Sequence, residues 1–464
     1  MRYISTRGGA PAVDFTKALL AGLAPDGGLY VPETWPELIS GPDEVESFVG
    51  DTYAEIAAFV LQAFAGDSLT FQEALALTEA AYAGFDAPAV APRVELGENL
   101  WLLELFHGPT LAFKDVAMQL LARLYDRALA KRGKRLTIVC ATSGDTGGAA
   151  VEAFRGSAHI DLVVLFPHGR ISEVQRRFMT AAPEENVRCV AVDGTFDDCQ
   201  AIVKALFADR AFADRVNLSG VNSINWARIV AQSVYYLTST IELGDHLTDF
   251  VVPTGNFGDA FAGYVARTLG APVGRITVAT NANDILARAI GAGRYAKEGG
   301  VIATQSPAMD IQVASNFERL YFVAVGRDPA ETARAFNEFA TTGALDLPDL
   351  ARREIASLFD SAATSEAETA ATMAETYKAS GMLIDPHTAV AVHAARTRRT
   401  GARKGPTIVL STAHPAKFPD AVEAATGVRP ALPTRVGDLF ARPERITHLP
   451  ADIEAIKAFV KEAR

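Results

Sequence analysis

Lys114 is the residue of this sequence best placed to act as an amine nucleophile. It lies in HGPTLAFKD, from His107 to Asp115, where a Gly-Pro turn leads into an apolar helix. The helix dipole disfavours an ammonium group near the helix N-terminus, and the apolar neighbour Phe113 disfavours it as well. Both effects favour the neutral amine, which is the form that attacks an aldehyde. Position alone favours the commoner alternative, a solvated surface lysine.

A first glycine-rich segment, CATSGDTGG from Cys140 to Gly148, follows a predicted strand and opens a predicted helix. Its small residues allow a ligand to approach the backbone, and its N–H groups face an anion. The segment suits a carboxylate, for which the Ser143 and Thr146 hydroxyls would be further donors. The alternative is an ordinary strand–helix turn in which Ser143 and Asp145 cap the helix.

A second segment, VPTGNFGD from Val252 to Asp259, has the same layout. Main-chain N–H groups in such a turn can surround a phosphate. The residues expected to do so are Gly255, Asn256, Phe257 and Gly258. The segment is neither a P-loop nor a dinucleotide-binding motif, because it lacks the residues of both patterns. A helix-capping turn is again the alternative.

Two further segments supply cations. STAHPAK, from Ser411 to Lys417, carries two hydroxyls, an imidazole and an ammonium after a predicted strand. Its His414 precedes a proline and is therefore expected in an extended loop, either at the site or simply hydrogen-bonded there. NSINWAR, from Asn222 to Arg228, opens a predicted helix, and its arginine either grips a phosphate or lies on the surface.

Together these segments describe a site for a small molecule with phosphate and carboxylate groups beside an amine nucleophile. That combination suggests pyridoxal phosphate acting on an amino acid. In open α/β sheets such ligands lie at the carboxyl ends of strands. Six apolar runs are predicted strands, namely Leu136–Cys140, Asp161–Phe166, Val187–Val192, Phe250–Val252, Ile276–Ala279 and Thr407–Leu410. Their alternation with amphipathic stretches predicts parallel sheets covered by helices on both faces.

Changes in this pattern divide the 464 residues into segments. Residues 1–92 are expected to form a mainly helical N-terminal domain. Residues 93–215 form an α/β domain that carries the nucleophilic lysine. Residues 216–430 form an α/β domain with the second glycine-rich segment and a helical insertion at about 328–381. Residues 431–464 are a C-terminal tail.

Composition narrows the class of protein. The net charge of -11 argues against a nucleic-acid partner. The three cysteines form no cluster with zinc-ligand spacing, which predicts no metal site and fits a reducing compartment. No apolar run approaches the ~18–20 residues of a membrane span, and the N-terminus lacks a signal peptide. We expect a soluble cytoplasmic protein without a membrane partner, either a monomer or a homodimer.

Six segments resemble those of the threonine synthase family in its bacterial and fungal branch. They are HGPTLAFKD, ATSGDTGGAA, NSINWAR, PTGNFGD, SPAMDIQVASNFERL and STAHPAKF. They follow the family's order, and the resemblance covers nearly the whole chain, from about Gly8 to Phe418. HGPT-x-x-FKD and NSIN-x-x-R together are highly specific, whereas SGDTG or GNFG alone would be weak. The resemblance implies a fold-type II pyridoxal-phosphate enzyme similar to tryptophan synthase β, with two open parallel-sheet domains and an added helical N-terminal domain.

The resemblance also implies roles at the cofactor. Lys114 would carry pyridoxal phosphate as a Schiff base, with Phe113 and Asp145 beside it. Thr412 would face the pyridine nitrogen, and Ser411 is the less favoured choice. The cofactor phosphate would be held by Gly255, Asn256, Phe257 and Gly258.

For the substrate, the resemblance implies separate sites for its two anionic groups. The carboxylate would be received, together with the ring oxygen of the cofactor, by Ser143, Gly144, Asp145 and Thr146. The substrate phosphate would be bound by Arg228 and Lys417, helped by Asn222.

The implied reaction removes phosphate from O-phospho-L-homoserine and adds water to give L-threonine, the last step of threonine biosynthesis. One alternative is another fold-type II lyase, either a serine/threonine dehydratase or a phospho-lyase that yields 2-oxobutyrate. A second is a non-catalytic relative that binds a ligand or partner, which the intact lysine disfavours.

Overall fold

Sixteen strands and nineteen α-helices lie in the part of the chain that the computed structural model describes, residues 1–241, 243, 246–398 and 405–462. The strands are β1 Arg2–Ser5, β2 Val13–Asp14, β3 Tyr30–Pro32, β4 Arg93–Gly97, β5 Leu100–Glu104, β6 Leu136–Ala141, β7 Ile160–Pro167, β8 Val187–Asp193, β9 Leu218–Ser219, β10 Thr248–Pro253, β11 Val273–Thr280, β12 Arg294–Ala296, β13 Ala344–Asp346, β14 Phe359–Ala363, β15 Thr407–Ser411 and β16 Thr447–Pro450.

The helices are α1 Phe15–Ala21, α2 Pro42–Glu46, α3 Tyr53–Ala65, α4 Phe71–Tyr82, α5 Lys114–Ala130, α6 Asp145–Phe154, α7 Glu173–Thr180, α8 Phe196–Ala208, α9 Arg210–Val216, α10 Trp226–Ile241, α11 Gly258–Thr268, α12 Ile285–Ala292, α13 Phe317–Ala324, α14 Pro329–Thr342, α15 Asp349–Leu358, α16 Glu366–Ser380, α17 Pro386–Arg398, α18 Pro419–Thr426 and α19 Ile453–Lys461. None of them, within the described ranges, has the length and apolar character needed to cross a lipid bilayer.

The N-terminal region is mainly helical, as predicted, and contains a small antiparallel sheet with the order β2-β1-β3. Helices α3 and α4 each begin with a capping box, in which Thr52 pairs with Glu55 and Thr70 pairs with Glu73. These reciprocal bonds satisfy N–H groups that have no partner within the helix. The sheet was not predicted because its strands are too short to show an alternating pattern.

A five-stranded sheet with the order β16-β8-β7-β6-β9 is parallel throughout. It contains three of the predicted strands, β6, β7 and β8. All eight residues of β7 are buried, because helices cover both faces of the sheet. The first glycine-rich segment follows β6 and therefore lies at the carboxyl edge of this smaller sheet.

A six-stranded sheet with the order β14-β11-β10-β15-β5-β4 is parallel except for its edge strand β4. It contains the other three predicted strands, β10, β11 and β15. The second glycine-rich segment follows β10, and STAHPAK follows β15. Both segments therefore lie at the carboxyl edge of this larger sheet, as the strand–helix pattern predicted.

Strand pairing departs from the predicted segments in three places. β4 and β5 fall within 93–215 but belong to the larger sheet, because β5 pairs with β15. β14 falls within the insertion 328–381, which is therefore not all helical. β16 falls within the tail 431–464 and pairs with β8; residues 463 and 464 lie outside the described part. Each partner is distant in sequence, so local patterns could not reveal it, and the division into domains stays a prediction.

The chain passes between the two sheets three times. It crosses from β5 to β6, returns from β9 to β10, and crosses again from β15 to β16. The first and third crossings run side by side, since the Phe113 N–H donates to the Thr412 carbonyl (2.9 Å) and the His414 N–H donates to the Leu111 carbonyl (3.0 Å). These backbone bonds bring the predicted lysine segment against STAHPAK.

Candidate active site

Lys114 is the first residue of α5, and the turn before it is held by local hydrogen bonds. The Thr110 N–H and hydroxyl both donate to the Asp115 carboxylate, at 2.7 and 2.6 Å. Leu111 adopts a left-handed backbone with φ 61°, an uncommon conformation for a branched residue. The turn is therefore shaped by specific contacts, and it orients the lysine at the start of the helix.

The Lys114 side chain is buried, which excludes the surface alternative. Its Nζ lies 3.5 Å from an Asp145 oxygen and 4.5 Å from the centre of the Phe113 ring. Burial lowers the pKa of Lys114; Asp145 opposes this, and the positive charges of Lys417 and Arg228 reinforce it. The structure thus shifts the equilibrium of Lys114 towards the uncharged amine relative to an exposed lysine; burial is the main cause, and two cations contribute.

Asp145 links two lysines at the N-terminus of α6. Its second oxygen lies 2.9 Å from the Lys417 Nζ, which also donates to the Thr110 carbonyl at 2.7 Å. Burial alone would raise the pKa of Asp145, but Lys417 and Lys114 hold it well below the usual range. Asp145 is therefore a permanent anion at the centre of the site.

The first glycine loop, residues 142–147, is organised by a threonine. The Thr142 hydroxyl oxygen accepts from the Gly144 and Gly147 N–H groups, each at 2.9 Å. Neither Ser143 nor Asp145 provides the side-chain cap that the alternative required. Gly144 has φ +133°, which only glycine adopts readily, so the loop depends on its composition.

The second glycine loop, residues 254–259, follows β10 and leads into α11. The Thr254 hydroxyl accepts from the Phe257 N–H at 3.1 Å and donates to the Asp259 carboxylate. Phe257 has φ 64°, and a Cβ added to Gly255 would lie 2.8 Å from the Ala308 carbonyl oxygen. The loop is tightly enclosed, and its glycine is required by close backbone packing.

Arg228 lies in α10 and is buried, which excludes a surface position. Its Nε has no hydrogen-bond partner among the described residues, and its Nη1 makes only a long contact of 3.5 Å to the Val221 carbonyl. Burial lowers the pKa of Arg228 to about 10, opposed by Asp259. A buried guanidinium with unused donors is suited to bind an anion.

Three family models together cover most of the chain. Residues 2–82 match the threonine synthase N terminus, residues 87–412 match pyridoxal-phosphate dependent enzymes, and residues 388–460 match the threonine synthase C-terminal region. A threonine synthase of Pseudomonas aeruginosa is 50% identical over 465 residues, covering 100% of this chain and 98% of that protein. The chain belongs to the threonine synthase family.

Solved structures of threonine synthases share the whole architecture. A pyridoxal-phosphate-bound threonine synthase from Brucella melitensis superposes with a TM-score of 0.96 at 48% identity, covering 100% of this chain and 99% of that one. Yeast threonine synthase gives 0.94 at 36% identity, with coverages of 100% and 98%. The predicted fold-type II architecture and membership of a pyridoxal-phosphate-dependent family are confirmed.

The residues of this threonine synthase family member fit pyridoxal phosphate. Lys114 provides a buried amine with a lowered pKa, and the second glycine loop provides backbone N–H groups at a helix N-terminus. Thr412 is buried next to the lysine segment. The Ser411 hydroxyl is engaged with Thr388 at 3.0 Å, which is consistent with its being the less favoured ring partner.

Not all predicted site residues of this threonine synthase family member contact the buried group of Lys114, Asp145 and Lys417. Ser143 and Thr146 are half-buried in the first glycine loop. Asn222 is exposed, and its side chain lies over Gly220. Asn225 caps α10, since its side-chain oxygen accepts from the Ala227 N–H at 3.1 Å. His414 is a hydrogen-bonded loop residue, and its ring accepts from the Ala416 N–H at 3.1 Å.

Sequence reasoning missed several residues that support the site. Gln175 donates to Asp145 at 3.0 Å from helix α7. His387 pairs with buried Asp385 at 2.7 Å and accepts from the Ala308 N–H at 3.2 Å, which fixes the backbone that encloses Gly255. In the sequence DPH the aspartate precedes a helix-opening proline, a signal for an N-cap but not for a role at the site.

Proposed function

We propose that this chain catalyses the threonine synthase reaction, converting O-phospho-L-homoserine and water into L-threonine and phosphate. The observation that supports it best is the charge balance at Lys114. Three basic side chains, Lys114, Lys417 and Arg228, are buried. Asp145 pairs with Lys417 and has a strongly lowered pKa, whereas the Arg228 Nε has no hydrogen-bond partner among the described residues.

A buried guanidinium with unpaired donors requires an anion from a ligand. The second glycine loop accounts for the cofactor phosphate, so the substrate phosphate is the anion assigned to Arg228. A serine/threonine dehydratase acts on a substrate without phosphate and needs fewer cations. The charge balance therefore favours a phosphorylated substrate over the dehydratase alternative.

We assign the binding roles on the same basis. The cofactor phosphate would be held by Gly255, Asn256, Phe257 and Gly258. Phe113 and Asp145 flank the lysine, and Thr412 would supply the hydroxyl for the ring nitrogen. The substrate carboxylate is received by Ser143, Gly144 and Thr146 at the N-terminus of α6.

Pyridoxal phosphate, when bound, supplies the electron sink for the reaction. Lys114 removes the proton from Cα of the substrate and transfers protons at Cβ and Cγ. Arg228 and Lys417, with Asn222 at the rim, bind the substrate phosphate and stabilise the charge that develops on its bridging oxygen as the Cγ–O bond breaks. Asp145 holds Lys417 in place and limits its movement.

The test is product analysis with purified protein, pyridoxal phosphate and O-phospho-L-homoserine. We expect threonine and phosphate in equal amounts. Lys114→Ala should reduce turnover by about 10⁴-fold or more, since it removes the amine that reacts and transfers protons, and should remove the visible absorbance of the covalently bound cofactor. Lys131→Ala, at the exposed end of the same helix, is the control and should behave as the parent protein.

Formation of 2-oxobutyrate in place of threonine would contradict the synthase reaction and support the phospho-lyase alternative. The Arg228→Gln variant tests the proposed substrate-phosphate site separately. It should impair phosphohomoserine turnover about 100-fold or more, because the charged phosphate loses its guanidinium partner. An unchanged KM and kcat in that variant would contradict the assigned phosphate site.

We infer further that the protein acts in the cytoplasm as a monomer or homodimer, without nucleic-acid or membrane partners. The net charge of -11 supports the absence of nucleic-acid binding. Light scattering on the purified protein measures the oligomeric state, and a tetramer would contradict this inference.

A further inference from the structure

Two histidines and an aspartate meet at the carboxyl end of the smaller sheet, apart from the active-site residues. His168 directly follows β7, Asp193 ends β8, and His448 lies in β16. The His168 Nδ1 is 3.6 Å from an Asp193 oxygen, and the two imidazole rings are 4.6 Å apart between centroids. One potential ligand atom from each residue lies within 4.8 Å of the other two.

The strand register accounts for this convergence. His448 is opposite Ala191, and Pro450 is opposite Asp193. Side chains two residues apart share a face of a strand, so His448 and Asp193 project from the same face. The His168 N–H continues the ladder by donating to the Val192 carbonyl at 3.0 Å, which places His168 beside Asp193.

The donor set is the one that zinc-class ions prefer. Two imidazole nitrogens and a carboxylate oxygen bind Zn²⁺ at about 2.0–2.2 Å, which puts neighbouring donors in a tetrahedral site about 3.4 Å apart. The separation of His168 from Asp193 is already near that value, at 3.6 Å. Their side chains are 55% and 64% exposed, so rotation can close the remaining gap without moving the backbone.

We propose that His168, Asp193 and His448 bind one divalent transition-metal ion of the zinc class, with water completing its coordination. The ion joins β16, from the C-terminal tail, to the β7 and β8 ends of the sheet. It thereby fixes a strand that is held to the sheet on one side only, by pairing with β8. The site is separate from the proposed reaction and does not depend on it.

The test titrates Zn²⁺ into the full-length, cofactor-loaded protein after dialysis against a chelator. We expect one Zn²⁺ per chain, and a raised Tm in its presence, because an ion that binds the folded state stabilises it. Co²⁺ should give the visible absorption of a low-symmetry site with nitrogen and oxygen ligands. His448→Ala and, separately, Asp193→Asn should weaken Zn²⁺ binding at least about tenfold and abolish the Tm increase.

His246→Ala is the matched control, because His246 is also exposed and belongs to no such cluster among the described residues. It should bind Zn²⁺ as the parent protein does. The cofactor absorbance reports that each variant is folded. The proposal is overturned if the parent protein binds no Zn²⁺ at micromolar concentrations, or if His448→Ala and Asp193→Asn bind it unchanged.

Discussion

The first and second glycine loops have similar sequences but differ in how they treat charge. Each follows a buried parallel strand, begins with a threonine whose hydroxyl organises the turn, and places an aspartate at the start of a helix. In the first loop, Asp145 contacts two lysines and has a strongly lowered pKa. In the second, Asp259 bonds to Thr254, and burial raises its pKa.

The difference shows that the same local turn can serve as an electrostatic centre or as a rigid frame. Asp145 pairs with the Lys417 ammonium beside the nucleophile. Asp259 mainly holds its own loop through its bond with Thr254, while the backbone N–H groups of that loop can face an anion. Surroundings contributed by distant segments, rather than the loop sequence, decide which role the aspartate has.

Among the changes that compare the two loops, neutralising each aspartate in turn has the largest expected effect. Asp145→Asn leaves the buried Lys417 ammonium without its counter-charge, which costs about 3–5 kcal/mol in comparable pairs. We expect kcat/KM to fall about 100-fold or more. Asp259→Asn keeps the shape of the side chain, and burial already raises the pKa of this carboxyl. We therefore expect kcat/KM to fall tenfold or less. Steady-state kinetics measure both, and equal losses would remove the contrast between the loops.

Adding a methyl group to each loop compares a glycine with a strained backbone, Gly144, with one that is only closely packed, Gly255. Gly144→Ala requires a side chain at φ +133°, and its Cβ would press on Gln175, so we expect a loss of stability of about 1–3 kcal/mol. Gly255→Ala has no such backbone strain, but its Cβ would meet the Ala308 carbonyl at 2.8 Å. It should weaken cofactor retention about tenfold.

Urea unfolding measures the first effect, and equilibrium binding of pyridoxal phosphate measures the second. Gly84→Ala is the control for both, because an added Cβ there meets no atom within 4 Å. The contrast fails if Gly255→Ala proves the less stable variant or if Gly144→Ala retains parent stability.

A smaller effect on cofactor binding is expected from His387, which holds the backbone that packs against the second loop. His387→Ala removes the acceptor of the Ala308 N–H and one of two partners of an Asp385 oxygen, which keeps only the backbone N–H of residue 387. We expect cofactor affinity to fall about three- to tenfold, with little change in the reaction of the bound form. His393→Ala, on the exposed side of the same helix, is the control. A fall in kcat without a fall in cofactor affinity would contradict a positioning role.

The smallest effect is on the pH dependence of stability. Asp145 has a pKa below its unfolded value of 3.8, so its contribution is present above pH 3.8 and is lost as pH falls through its folded pKa. Asp259 has a raised pKa, so the folded state loses stability as pH rises from 3.8 through its folded pKa. Asp145→Asn should reduce the fall in the free energy of unfolding at acid pH. Asp259→Asn should make the free energy of unfolding rise more steeply with pH. Urea unfolding between pH 3 and 6 measures both slopes; slopes of the same sign would contradict the assignment.

Local patterns predicted much of this molecule. Buried strands are continuous apolar runs, so β6, β7, β8, β10, β11 and β15 were predicted from sequence. Glycines after those strands marked both loops, whereas the position of Lys114 alone favoured a surface lysine and its burial became evident only in the structure. In contrast, β5, β14 and β16 were not predicted as strands, and their partners in the sheets are remote in the chain. Gln175 and His387 were not predicted as site residues for the same reason, since nothing near them in sequence indicates the groups that they contact.

The three crossings between the sheets have a mechanical consequence. Lys114 lies on the first, Arg228 on the second and Lys417 on the third, so each connection between the sheets carries one of the three buried basic side chains. A ligand that contacts all three side chains would therefore join all three connections and act as a strut between the two sheets.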